Sequence, residues 1–191
     1  MSMKPTPSFE KWFGASKVVD AAGAPLVVFH GTSAQFDVFD ADRQGQTAGV
    51  DGGFFFTSSR EVANDAYGWR EGGHVKEVYL SAKKILGLQQ YFALTGKDED
   101  VETDGGRDAP VNYFDRNSDE IVEFAQEHGF DGIWWPADPD SRLDHDLIVV
   151  FSPAQIKSAN NNNGDFDATN KDIRFSLVDQ VEKIDLEAPC P

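Results

Sequence analysis

Apolar positions in this chain cluster in short runs set between polar, glycine-rich stretches. "LVVF" at 26–29, "GFFF" at 53–56, "GIWW" at 132–135 and "LIVV" at 147–150 are β-branched or aromatic and bounded by turn residues. Such runs predict buried strands. "HVKEVYLSAKKIL" alternates instead, with Val75, Glu77 and Tyr79 on one side and Lys76, Val78 and Leu80 on the other, which predicts another strand. "SKVVD" and "LVVF" flank the turn "AAGAP" and read as a hairpin, with His30 at the end of its second strand.

Helical spacing occurs three times. "SFEKWFG" is short and amphipathic. "SSREVANDAYGW" has Ser58 or Ser59 as N-cap and Glu61 in its first turn. "SDEIVEFAQEHGF" starts at a capping Ser118, faces inward through Ile121, Val122 and Phe124, and stops at Gly129. Residues 36–53, 95–110 and 136–145 read as loops, the first long enough to suggest function. After Ser158, "ANNNNGDFDATNKDIRFS" predicts extended peripheral chain docked by Phe166, Ile173 and Phe175. Helices that do not strictly alternate with strands give an α+β class. Residues 177–191 are expected to form a flexible C-terminal tail.

Charge narrows the partners. Lys plus Arg total 17 against 33 Asp plus Glu, a net charge of −16. That surface repels phosphate backbones, so duplex nucleic acid is not expected as a partner, and an anionic ligand needs local neutralisation. Cys190 cannot form an internal disulfide, and no long apolar run suggests a signal peptide or membrane span. The expectation is a soluble cytoplasmic protein.

Chemistry concentrates in two segments. His30 follows an apolar strand and precedes Gly31, where a ligand can approach the backbone, and Thr32, which adds a hydroxyl. Taken alone, a satisfied core histidine before a tight turn is the simpler reading. "GGFFFTSSREVANDAYG" then adds flat aromatic faces suited to a planar heterocycle, with Phe54 and Phe56 on one side of the strand and Phe55 on the other. The metal-ligand, dinucleotide-fingerprint, P-loop and nucleophile-elbow spacings do not occur. The Gly-rich 40–53 stretch lacks the ligand pattern of a calcium loop.

Read in order, "WFGASKVVDAAGAPLVVFHGTS…FDVF", "GGFFFTSSREVANDAYG", "VYLSAKKIL", "FDGIWW" and "LIVVFSPAQIKSANNNNGDFDATNKDIRFS" resemble the ADP-ribosyltransferase domains of phage and mobile-element polyvalent proteins. Those lie in the diphtheria-toxin-like, poly(ADP-ribose) polymerase-like branch. The resemblance covers residues 8–176, which sets the expected domain, and implies split antiparallel sheets around an NAD cleft. It implies that His30 bonds the adenosine ribose, that Gly31 holds the nicotinamide carboxamide through its backbone, and that Thr32 supports the pocket. Arg43, in a loop over the dinucleotide, is the implied pyrophosphate partner. Matching onto the related polymerase pattern implies that Phe55 lies beside the nicotinamide and that Tyr67 falls on the stacking tyrosine after a one-residue adjustment.

The third catalytic position departs from the pattern. Related polymerases place a glutamate there to stabilise charge at the anomeric carbon, and this chain has Leu147. Asp146 is the assignment made here, with Asp144, Asp140 and Gln155 as alternatives. The resemblance thus implies a mono-ADP-ribosyltransferase that uses NAD and modifies a host macromolecule, a protein, inside a bacterial cell. An NAD glycohydrolase and a catalytically silent NAD-binding or interaction module are the other readings.

Overall fold

The computed structural model of the chain describes residues 6–43, 52–65, 71–97, 110–137, 145–162, 164, 166–167 and 169–174, with the side chains of 43, 110–113, 115 and 116 outside that description. Seven strands form one sheet: β1 (Val28–Thr32), β2 (Phe54–Thr57), β3 (His74–Leu80), β4 (Ile85–Gly87), β5 (Gly132–Trp135), β6 (Leu147–Val150) and β7 (Ile156–Ser158). Their order is β4-β5-β6-β2-β1-β3-β7. Among the described residues four α-helices accompany them: α1 (Pro7–Phe13), α2 (Arg60–Ala63), α3 (Leu88–Thr95) and α4 (Pro110–Glu127).

Two features refine the expected split antiparallel sheets. The β4–β5 pair is parallel, so the sheet is mixed. All strands also belong to a single sheet, but its halves meet through one residue pair, Phe29↔Thr57 of β1 and β2. The α+β class stands, and the division of the sheet lies at that rung.

Each face carries its own core. Val28, Phe54, Phe56, Val78, Leu80, Ile148 and Val150 pack on one side with Phe39 and Ile173. Leu86, Ile133, Trp135 and Val149 pack on the other under Tyr91, Phe114, Ile121 and Val122. The period-two alternation of the strands produces this sorting, because successive side chains leave opposite faces. A third cluster joins Phe9, Trp12 and Phe13 of α1 to Tyr79 and Phe166. Thr6 caps α1 by accepting from Phe9 N–H at 3.2 Å, and its hydroxyl donates to Gly164 O at 3.0 Å, tying the start of the domain to its end.

Several elements differ from the sequence expectation. The expected hairpin reduces to one bridge, Val19↔Pro25, around a turn in which Asp20 accepts from Ala22 and Ala24 N–H. Strand β1 starts at Val28 and runs on through Gly31 and Thr32, so His30 sits mid-strand. Helix α4 begins at Pro110 rather than Ser118. The break expected at Ser118 survives as a kink at Asn117, whose φ of −123° and ψ of 16° leave the helical region. Its C-terminus closes at Gly129 (φ 67°), with Phe130 N–H donating to Ala125 O at 2.9 Å. Helix α3 and strand β7 were not expected, being too short for a periodic signal.

The C-terminal chain docks as expected at Phe166 and Ile173, which are buried. Lys157 secures it: its ammonium, wholly buried on β7, donates to Asn170 O at 2.7 Å and Asp172 O at 3.0 Å. Phe175 and the expected tail 177–191 lie outside the described residues.

Candidate functional site

Backbone direction locates the site. At the ends of the β3–β7 pairing, Ser81 N–H donates to Gln155 O and Ala159 N–H to Glu77 O. Peptide groups alternate sides along an antiparallel strand, so residues 77 and 79 address β7, and 74, 76 and 78 address β1. Through the β1–β3 register, Val28, His30 and Thr32 then address β3, while Phe29 and Gly31 address β2. The bond from Ser58 N–H to Asp146 O orients β2 likewise, with the peptide groups of Phe55 and Thr57 facing β1.

The next rung after Phe29↔Thr57 would join Gly31 to Phe55, and it is not made. The Phe55 carbonyl instead accepts from His30 Nδ1–H at 2.9 Å. The imidazole therefore stands in for a backbone donor, and the N–H and C=O of Gly31 face the gap between the strands.

That bond also sets the tautomer. A carbonyl only accepts, so Nδ1 carries the proton and Nε2 presents a lone pair in the neutral ring. Burial pushes the His30 pKa down; the Phe55 bond opposes this, and the nearby Lys76 and His74 charges add to it. Among the described residues Nε2 has no partner, and no unpartnered side-chain nitrogen or oxygen there is buried, so Nε2 reaches solvent. Phe39, Phe56 and Phe36 surround the ring, with centroids 5.1, 5.6 and 6.3 Å away.

Gly31 is glycine for a packing reason as well. A Cβ there would lie 1.8 Å from Ala63 O, because the last turn of α2 rests on β1 at this point. Ser59 caps α2 by accepting from Val62 N–H at 3.3 Å, and residues 64–65 continue it as a wider π turn. Such a turn takes up one extra residue; Tyr67 lies outside the described residues. Thr32 is buried on the His30 face, where its Oγ1 accepts from Ala34 N–H at 3.1 Å and closes the turn after β1. Phe55 shares the opposite face with Gly31, its ring 6.3 Å from that of Phe114.

Arg43 closes a short 3-10 turn, Ala41–Arg43, and its side chain lies outside the described residues, as do residues 44–51 beyond it. The far end of that loop is held by Gln126, whose Nε2 donates to Gly52 O at 2.7 Å.

Asp146 precedes β6. Its N–H donates to Ser58 Oγ at 2.8 Å, and its Oδ1 accepts from Ala137 N–H at 2.7 Å. Alternation directs Asp146 to the side of Ile148 and Phe56, and Leu147 to the side of Phe55 and Val149. Gln155 is fully occupied: Oε1 accepts from Phe151 and Ser152 N–H, and Nε2 donates to Ser81 O and Asp131 O. Asp140 and Asp144 lie outside the described residues.

One neighbour of His30 had not been singled out from sequence. Lys76 pairs with it across β1 and β3 on the same face. The signal was present, since Lys76 falls on the apolar side of the β3 alternation with Val78 and Leu80.

A family model describing the ADP-ribosyltransferase in polyvalent proteins matches residues 20–166. Searches of curated proteins and of solved structures each returned no match. The matched span holds all seven strands, the broken rung between β1 and β2, and every candidate residue named above. The chain therefore belongs to the family of ADP-ribosyltransferase domains in polyvalent proteins.

Proposed function

We propose that the domain is an NAD-dependent mono-ADP-ribosyltransferase that modifies a host macromolecule, a protein, in the cytoplasm of a bacterial cell. Family membership supports the transferase class. The missing Gly31–Phe55 rung is the observation that carries the use of NAD. A carboxamide offers one acceptor and one donor edge, the complement of a backbone N–H and C=O standing side by side. Gly31 supplies that pair, and Phe55 and Tyr67 flank the nicotinamide ring. His30 Nε2, a solvent-reaching acceptor, receives a ribose hydroxyl.

In the reaction the N-glycosidic bond breaks and nicotinamide leaves with the bonding electrons. An acceptor nucleophile then bonds to the anomeric carbon and releases its proton. Stacking and amide contacts hold the leaving group while the bond stretches. Asp146 is assigned the stabilisation of the cationic ribose.

Leu147 favours a second reading, in which the domain binds NAD without transferring ADP-ribose. An apolar side chain on the Phe55 face cannot stabilise a cation. Incubation with NAD labelled on the adenylate, in the presence of bacterial lysate, separates the readings. Transfer predicts free nicotinamide together with label on protein. Nicotinamide without protein label identifies a glycohydrolase, and NAD binding with neither product identifies the silent module.

A further inference from the structure

We propose that Lys76 is a phosphate-binding residue of the site, taking the pyrophosphate of the dinucleotide; this deepens the NAD reading above and rests on it. A chain of net charge −16 must neutralise a dinucleotide locally, through backbone N–H groups or a cation.

Four features converge on this lysine. It stands opposite His30 in the β1–β3 register, with their peptide groups facing one another. Residues so paired have Cα atoms about 5.5 Å apart and side chains on one face. Its ammonium lies 4.4 Å over the Phe36 ring, and that ring packs edgewise on His30 at 6.3 Å, so the charge sits at the rim of the imidazole's surround. Nζ donates to Phe36 O, which leaves two of its three N–H groups for a ligand.

The fourth feature is the lack of a direct ion-pair partner. Lys76 makes no ion pair among the described residues. Asp37, the carboxylate whose field reaches it, is held at 2.9 Å by Arg174, which also pairs with Asp172 at 3.0 Å, and the Arg174 field opposes without cancelling that of Asp37 at the lysine. A half-buried ammonium beside a ribose-binding imidazole, with two N–H groups to give and no direct ion-pair partner among the described residues, suits an anion. One methylene separates a ribose from its phosphate, so a cation adjoining the ribose contact is within reach of the pyrophosphate.

The test compares the wild-type chain, Lys76→Gln and Lys76→Arg by calorimetric titration with NAD, ADP-ribose and nicotinamide at low and high salt. Glutamine keeps an amide donor for Phe36 O, so the loop is retained. Lys76→Gln is expected to weaken NAD and ADP-ribose on the order of tenfold and to flatten their salt dependence. Nicotinamide affinity is expected to be unchanged, and Lys76→Arg to restore dinucleotide binding. Unchanged NAD affinity in Lys76→Gln overturns the assignment and leaves the NAD reading intact. Equal weakening of nicotinamide also overturns it, since Lys76 then acts by shaping the pocket. Wild type that binds no NAD overturns the NAD reading itself, and this assignment with it.

Discussion

His30 Nδ1 donates to the Phe55 carbonyl across 2.9 Å, at the rung where β1 and β2 part. One side chain thereby satisfies the exposed carbonyl of β2, fixes its own tautomer, and leaves the Gly31 peptide groups facing the gap. The mutational consequences differ for each partner.

Removing the imidazole affects both chemistry and structure. His30→Ala is expected to lower nicotinamide release on the order of 100-fold. Loss of the Phe55 bond costs about 1–3 kcal/mol, which a folded chain tolerates. Turnover assays beside urea denaturation measure the two effects, and wild-type turnover in a folded His30→Ala would place the cleft elsewhere. Tyr67→Ala is expected to lose comparable activity.

Gly31→Ala tests packing. Its Cβ would overlap Ala63 O, and backbone yields less readily than a side-chain tip. Overpacking of this kind destabilises by about 1–3 kcal/mol. The readout is the urea midpoint, and an unchanged midpoint would mean that α2 does not rest on β1 as described.

Acid should act through His30 later than it does for an ordinary histidine. Burial lowers its folded pKa below the usual 6.5, so in the interval between the two values the unfolded chain holds a proton that the folded chain lacks. The stability contributed by the neutral ring is complete above the ordinary value and declines as pH falls through that interval. NAD affinity needs the Nε2 lone pair. It should therefore persist through the ordinary histidine value and drop only below the lowered one. Titrations of NAD against wild type and His30→Gln from about pH 8 to about pH 5 check this, and an acid limb retained in His30→Gln would assign it to another group.

Asp146 is the residue proposed for the third catalytic position, and Leu147 is the one that aligns there. Asp146→Asn preserves an acceptor for Ala137 N–H, so the fold should hold while turnover falls on the order of tenfold or more. Full turnover would move the assignment to Asp144 or Asp140. Leu147→Glu places a carboxylate on the face of Phe55 and is expected to raise nicotinamide release; an unchanged rate in a folded variant would show that the position does not meet the ribose.

Lys157→Met leaves the carbonyls of Asn170 and Asp172 without their buried donor. The expected cost is about 3 kcal/mol, seen as a lower melting temperature and faster proteolysis after Ser158. Wild-type protection would show that Phe166 and Ile173 suffice to dock the segment.

The apolar runs at 53–56, 132–135 and 147–150 were legible as strands because β-branched and aromatic stretches bounded by turns carry a local signal. His30 was singled out by its chemistry and by the company of the later motifs. The partners of these strands were not legible. Whether Gly31 meets Phe55 depends on residues two dozen positions apart, and only the assembled sheet decides where a ladder stops. The same holds for the Ala63 carbonyl above Gly31, for the pairing of Lys76 with His30, and for the contact that engages the Asp146 carboxylate. Sequence alone determined which side chains could do the chemistry, since that is a property of each residue. Tertiary structure decided which groups stay free to do it, because hydrogen-bond partners are assigned across the chain and not along it.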